Sequence, residues 1–214
     1  MHRFAGGASA VFPNEPERTV YNNALLERDL APAERVEALD GMEASYAAAH
    51  ITRFAAWVHE SDEAMRAQLE RRGYRLDTTT RAMGMALEDV RLPRPRIELG
   101  APDRSEYLRI LGAPPEFLAR ADPHAYHILL AGLRDENVAT AMAFDHAGGR
   151  GIYNLGTIEH ARRGGLGTAL TALHVHDVLA RGCRTASLQS TPMAEGIYAA
   201  VGFRDLGRIL EYVP

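Results

Sequence analysis

The sequence predicts a mixed α+β layer: an antiparallel meander of strands, then strand–helix–strand–helix–strand. Three observations carry that prediction. Apolar runs of strand length cover residues 127–133, 138–144 and 151–158. The turn Asp145-His146-Ala147-Gly148-Gly149-Arg150 folds the second run back on the third as a hairpin. A glycine-rich turn over 162–168 then separates the third run from an apolar stretch long enough for a helix.

Taken in order, residues 19–26, 53–58 and 78–87 read as strands, and 32–50 and 63–72 as helices with apolar residues at three- and four-residue spacing. Pro93 and Pro95 suppress helix, and a boundary is placed there, giving domains 1–92 and 93–214. Residues 96–99 look like a strand. Asp103 reads as the N-cap of a helix through Ile110, with Glu106 completing a capping box. A helix over 165–181 is stopped by Gly182 as a left-handed cap. A strand (184–190), a short helix (193–200) and a last strand (208–213) follow.

Composition bounds the function. The 214 residues, 46% hydrophobic and 24% charged, are ordinary globular material with room for one large domain or two small ones. A net charge of −4 argues against a general nucleic-acid binder, which calls for a basic surface. All 24 basic residues are arginine, so no lysine can form a Schiff base. The single cysteine, Cys183, excludes an internal disulfide framework and is expected to be a buried small apolar residue. The first ten residues lack the apolar core of a signal peptide, and no run reaches the roughly 18 apolar residues of a membrane span. A soluble, cytoplasmic protein is expected.

The two halves echo each other. Glu70-Arg71-Arg72-Gly73-Tyr74-Arg75 matches Ala199-Ala200-Val201-Gly202-Phe203-Arg204 in type: a helix end, a glycine, an aromatic and an arginine. Arg53-Phe54-Ala55-Ala56 and Arg184-Thr185-Ala186-Ser187 open the strands upstream, each preceded by an alanine-rich helix. A degenerate duplication accounts for this order. The first copy has no glycine–arginine turn, and Leu69 stands where the second has Tyr198.

The chemistry concentrates in the second half. Arg162, Arg163, Gly164, Gly165, Leu166, Gly167 and Thr168 lie where a strand ends and a helix begins. Glycines there let backbone N–H groups converge on an anion, and the helix N-terminus adds about half a positive charge. Arginines supply bidentate phosphate donors. Downstream lies Ile197-Tyr198-Ala199-Ala200-Val201-Gly202-Phe203.

With both motifs in order, the chain resembles the GNAT superfamily of acyl-CoA-dependent N-acetyltransferases. Members join an Arg/Gln-x-x-Gly-x-Gly/Ala turn to a Tyr-x-x-x-Gly-Phe segment. The resemblance covers about residues 96–214; the first half is similar in outline to the non-catalytic copy of a tandem GNAT protein. It implies a mixed, mostly antiparallel sheet flanked by helices, in two copies with the first truncated. It further implies acetyl-CoA as acyl donor, no metal, and transfer to a primary amine of a small molecule or peptide in a ternary complex. The Arg162–Thr168 turn would hold the pyrophosphate. The strand over 154–158 would splay from that over 184–190, freeing backbone groups for the pantetheine arm. An N–H near Thr157 or Ile158 would polarise the thioester carbonyl, as oxyanion holes do. Tyr198 would be the general acid.

Several side chains stay open. Tyr153, Asn154, Glu159 and Asp145 are unranked candidates for the general base, and Ser190 and Thr191 could bond cofactor or water. His174 and His176, two apart on one helix, are not a metal pair and are expected at the surface or lining a groove. His124 and His127 suit a polar edge and His146 a solvated turn. The Asp62-Glu63 and Glu88-Asp89 pairs are expected as solvated surface. The competing function is a non-catalytic acyl-CoA sensor on the same scaffold. A different nucleotide fold is disfavoured, because the sequence has no Gly-x-x-x-x-Gly-Lys-Ser/Thr motif. No nucleic-acid or membrane partner is expected, and the state is monomer or homodimer.

Overall fold

The computed structural model describes residues 1–179 and 181–214. The chain begins with β1 (His2–Phe4), β2 (Gly7–Ala10), β3 (Asn23–Leu26), α1 (Pro32–Ala48), β4 (Ala55–His59), α2 (Glu63–Arg71) and β5 (Arg75–Ala86). It continues through β6 (Leu99–Gly100), α3 (Arg104–Leu111), β7 (Tyr126–Leu133), β8 (Glu136–His146) and β9 (Gly149–Thr157). The last elements are α4 (Leu166–Leu179), β10 (Thr185–Ser190), α5 (Glu195–Val201) and β11 (Arg204–Val213). The fold class is the predicted one: mixed α+β, with mostly antiparallel strands flanked by helices.

The chain forms two compact units, Met1–Arg81 with Gly207–Pro214, and Ala82–Leu206. Pro93 and Pro95 lie inside the second unit, in an irregular stretch between a 3-10 turn (Leu87–Asp89) and β6.

In the first unit the strands run β1-β2-β3-β4 and then the C-terminal part of β11. The β1–β2 hairpin turns through Gly6, whose φ of 76° is left-handed. It is too short to leave a periodic signal, and sequence reading passed over it. Pro32 opens α1, and the Glu34 carboxylate accepts the Ala31 N–H at 2.7 Å in place of a Ser or Asp cap. Leu39, Met42 and Tyr46 form its buried stripe, and Tyr46 stacks on Phe54 with ring centroids 4.0 Å apart. Each such side chain contributes about 1.5–3 kcal/mol of burial. Asp62, expected on the surface, is buried. It caps α2 by accepting the Met65 N–H at 3.0 Å, which is why an acid stands there.

The second unit orders its strands from the C-terminal part of β5 through β10-β9-β8-β7-β6, with β9 and β10 parallel. Both faces of β8 are covered. Thr140 and Met142 point toward α3 and its cluster, while Ala139, Ala141 and Ala143 point toward α4, their small side chains letting that helix lie close. The hairpin from β8 to β9 turns on two residues, Ala147 (φ 48°) and Gly148 (φ 77°), the left-handed pair that matches strand twist.

Some local expectations change. The strand over 96–99 reduces to Leu99–Gly100. Asp103 caps α3, but Glu106 turns to Arg109 (2.9 and 3.0 Å) and leaves the capping box unformed, since an ion pair one turn on competes for its carboxylate. His146 ends β8 beside the turn and is exposed, as expected, with its ring stacked on Phe144. Asp89 pairs with Arg204 at 2.9 Å. Cys183 is half-buried against the α4–α5 cluster. Among the described residues no helix is long and apolar enough to cross a membrane.

The largest correction is His174. Expected at the surface or in a groove, it is 1% exposed on the face of α4 toward β8. Next to it lies Arg150, fully buried, whose Nε and second guanidinium nitrogen grip Asp145 at 2.6 and 2.8 Å while the third donates to the His174 carbonyl at 2.9 Å. Burial holds the His174 pKa down at about 4, with the nearby Arg150 charge adding to it against the Ala141 backbone hydrogen bond and Asp177.

A stability profile follows. The folded pKa lies below the unfolded value of about 6.5, so the protein is fully stabilised above pH ~6.5 and loses stability as pH falls toward 4, on the order of 3 kcal/mol in all. His127, lowered by burial and by Arg181, adds in the same direction. Denaturant titrations at pH 7.5 and 4.5 are expected to show this loss in the wild type and a clearly smaller one in His174→Gln. Equal pH dependence in the two would contradict it.

Candidate functional site

The site is built at the end of β9. That strand pairs in parallel with β10 only through Thr185↔Gly149, Ala186↔Arg150 and Ser187↔Gly151; among the described residues the pairing then stops. From Ile152 to Thr157 β9 holds on to β8 alone. The sequence expectation of parted strands is therefore present in the backbone.

A bulge accompanies the parting. Between the pairs Met142↔Tyr153 and Thr140↔Gly156, β8 contributes one residue and β9 two. Asn154 takes the left-handed conformation (φ 51°), which asparagine adopts more easily than most residues.

Register decides which amides face the open edge. The Ile158 N–H donates to the Val138 carbonyl at 2.9 Å, so it is spent. Antiparallel strands alternate inward- and outward-facing backbone groups. Thr157, one residue earlier, therefore presents both N–H and C=O away from β8. Of the two amides expected near a carbonyl, only that of Thr157 faces away from β8.

The turn follows after a 3-10 turn at Glu159–Ala161. Arg162 is extended (φ −64°, ψ 157°), while Arg163 (φ 65°) and Gly165 (φ 79°) are left-handed. The first bond inside α4 runs from the Ala169 N–H to the Gly165 carbonyl at 3.0 Å. The amides of Leu166, Gly167 and Thr168 precede it, the usual orphan donors of a helix start. Residues 162–165 are exposed. The Arg162 Nε donates to the Thr157 carbonyl at 3.1 Å, tying the turn to the strand end and leaving its terminal nitrogens to point elsewhere. A side chain at Gly165 would meet nothing within 4 Å, so open space lies above the turn. These residues fit a diphosphate: orphan amides, a helix dipole, two arginines and room.

Tyr198 lies on α5, whose preceding residue Ile197 borders Gly167 of α4 along with Leu155 of β9. The helix, strand and turn thus meet here. Tyr198 is 6% exposed, edge-on to Phe203 at 6.2 Å, and burial pushes its pKa up. Among the described residues its hydroxyl has no protein partner. Its carbonyl accepts the Gly202 and Phe203 N–H groups, closing the helix.

The base candidates separate. Asp145 lies on β8 beside Arg150 at the hairpin, the end of the β8–β9 pair remote from Thr157. There it is held below the usual carboxylate range, chiefly by its hydrogen bonds to Arg150. Its carboxylate also has His127 at 3.3 Å and Arg181 at 3.6 Å, so His127 does sit on a polar edge. Asn154 donates its amide to the Tyr107 hydroxyl at 2.8 Å and cannot act as a base. Tyr153 is half-exposed, with its pKa raised by burial, and Glu159 is exposed. Ser190 is buried and donates to the Thr191 carbonyl at 2.8 Å. His176 bonds the Leu92 carbonyl at 2.9 Å. Among the described residues no three His, Cys, Asp or Glu side chains cluster as a metal site. Sequence reading missed Tyr107, which has no motif and reaches the site only through α3.

No protein-family model and no curated protein matches the chain. Solved structures do. A GCN5-related N-acetyltransferase from Kribbella flavida aligns over 99% of this chain and 88% of its own, with TM-score 0.75 and 18% identity. A second, from Sphaerobacter thermophilus, covers 92% and 74% with TM-score 0.63 and 20% identity. A tandem GNAT protein from the clavulanic acid biosynthesis pathway covers 90% and 74% with TM-score 0.59 and 17% identity. At these identities the likeness is one of fold.

The left-handed turn gives a prediction. Gly165→Val is expected to strain the helix start by about 1–2 kcal/mol and to weaken anion binding there, measured by calorimetry with a soluble diphosphate. Unchanged diphosphate affinity would count against the turn as an anion site.

Proposed function

We propose that the chain transfers an acetyl group from acetyl-CoA to the primary amine of a small molecule or peptide. The observation that carries this reading is the coincidence at one strand end of three features: orphan helix amides, a paired Arg162–Thr157 contact, and a strand edge that has lost its neighbour. The shared fold with GCN5-related N-acetyltransferases supports it.

Acetyl-CoA, when bound, supplies the acyl group as a thioester. The amides of Gly164, Gly165, Leu166, Gly167 and Thr168 would bind its pyrophosphate, with Arg162 and Arg163 adding charge. The open edge of β9 would take up the amide-bearing arm, and the Thr157 N–H, fixed in direction by the register, would donate to the carbonyl as negative charge develops. The Tyr198 pKa, raised by burial, keeps the hydroxyl protonated at neutral pH. With no partner among the described residues, that proton is available to the leaving sulfur. Transfer would run directly from donor to amine, without an acyl-enzyme. The N–C bond forms as the C–S bond breaks, and the sulfur takes the Tyr198 proton. The proton lost by the amine nitrogen goes to water, which reprotonates the tyrosinate. A cytoplasmic setting and a monomeric or homodimeric state belong to the same proposal.

We also infer that the chain arose by duplication, with domains 1–92 and 93–214 as its copies and the first non-catalytic. The ends of α2 and α5 are built alike: Tyr74 N–H bonds the Leu69 carbonyl and Phe203 N–H bonds the Tyr198 carbonyl, both at 3.1 Å. Gly73 (φ 90°) and Gly202 (φ 127°) sit at the same step. Leu69 in place of Tyr198 leaves the first copy without an acid.

Thiol release with acetyl-CoA and a panel of amines tests the reading. Tyr198→Phe is expected to lower kcat about 10- to 100-fold while the acetyl-CoA Kd holds. Arg162→Glu is expected to raise that Kd about tenfold or more. Cofactor binding with no release for any amine would favour a sensor; no binding at all would end both readings.

A further inference from the structure

The bulge in β9 is gripped from one side by α3. Tyr107 is fully buried on that helix, and its hydroxyl accepts the Asn154 amide N–H at 2.8 Å. Asn154 is the left-handed residue of the bulge itself. Two residues on, Ile110 and Leu111 of α3 lie over Gly156, where a Cβ would come within 2.7 Å of a Leu111 methyl and require that side chain to shift. The helix carrying these contacts is fixed at both ends: Asp103 accepts the Glu106 N–H at 2.9 Å, and Gly112 closes it in the left-handed conformation (φ 63°).

We propose that Tyr107 and Asn154 form a latch that sets the register of the bulge, making both positioning residues for the acyl-transfer site. This rests on the function proposed above. The physical link is the alternation of backbone groups along β9. With the extra residue held at Asn154, the Ile158 N–H turns inward to Val138 and the Thr157 N–H turns outward to the open edge. Loss of the bulge, with β9 slipping by one residue against β8, would pair Thr157 with Val138 and invert that alternation, turning the Thr157 amide toward β8 and taking the carbonyl-polarising donor out of the site. The chain's only tie from a side chain of the bulge residue to a buried neighbour, among the described residues, is the bond to Tyr107. Tyr107 touches no substrate; it acts through Asn154.

The test uses Tyr107→Phe, which deletes only the hydroxyl, and Asn154→Gly, which deletes the amide while keeping the left-handed backbone. Each is expected to lower kcat about tenfold with KM and calorimetric Kd for acetyl-CoA within about twofold, and the double variant to be no worse than either single one. In the free protein, hydrogen exchange at the Gly156 and Ile158 amides is expected to quicken about tenfold or more in each variant. Unchanged kcat and exchange in Tyr107→Phe overturns the latch, as does full additivity in the double variant. If the wild type neither binds acetyl-CoA nor releases thiol, the functional reading fails separately. The latch is then decided by exchange alone, equal rates in wild type and Tyr107→Phe overturning it.

Discussion

A β-strand that loses its neighbour halfway along leaves backbone donors and acceptors without partners, and such groups must find others or face water. In this protein β9 parts from β10 after Gly151, and the rest of the second unit is organised around that parting. The β8–β9 pairing holds the freed strand on its other side. The bulge at Asn154 sets which amides turn outward, and Arg162 reaches back to take the Thr157 carbonyl, joining the strand edge to the glycine turn.

The support for this edge is packed from both faces. On one, alanines of β8 let α4 lie close, and α4 in turn begins at the turn and borders α5 through Gly167 and Ile197. On the other, α3 presses Leu111 on Gly156 and Tyr107 on Asn154. The far end of the hairpin is locked by Arg150 between Asp145 and the His174 carbonyl, a buried charge tolerated because all three of its nitrogens are paired. Rigid elements thus hold the groups of the proposed site, and the end of β9 assigned to it is the one left open.

Much of this was legible in the chain. The meander, the hairpin and the glycine–arginine turn announce themselves because each depends on neighbours in sequence: alternation, left-handed residues, a strand followed at once by a helix. Local chemistry also misled. Asp62, His174 and Asp145 look like solvated or reactive side chains, and all three are structural once their partners are placed. Asp145 meets Arg150 across a tight hairpin, which spacing could have suggested. The carbonyl of His174 and the hydroxyl of Tyr107 lie 24 and 47 residues from their partners, beyond the reach of any local pattern.

By itself the sequence determined the fold class, the position of the glycine–arginine turn proposed to bind an anion and the candidacy of Tyr198 as an acid, because these follow from residue type and short-range order. Only the tertiary structure decided that Thr157, not Ile158, offers its amide, since the answer depends on pairing register and on one extra residue in a bulge. It alone showed His174 buried, Asp145 committed to Arg150, and Tyr107 bonded to Asn154 of the bulge. Register and burial are properties of neighbours brought together by folding, and no single stretch of chain contains them.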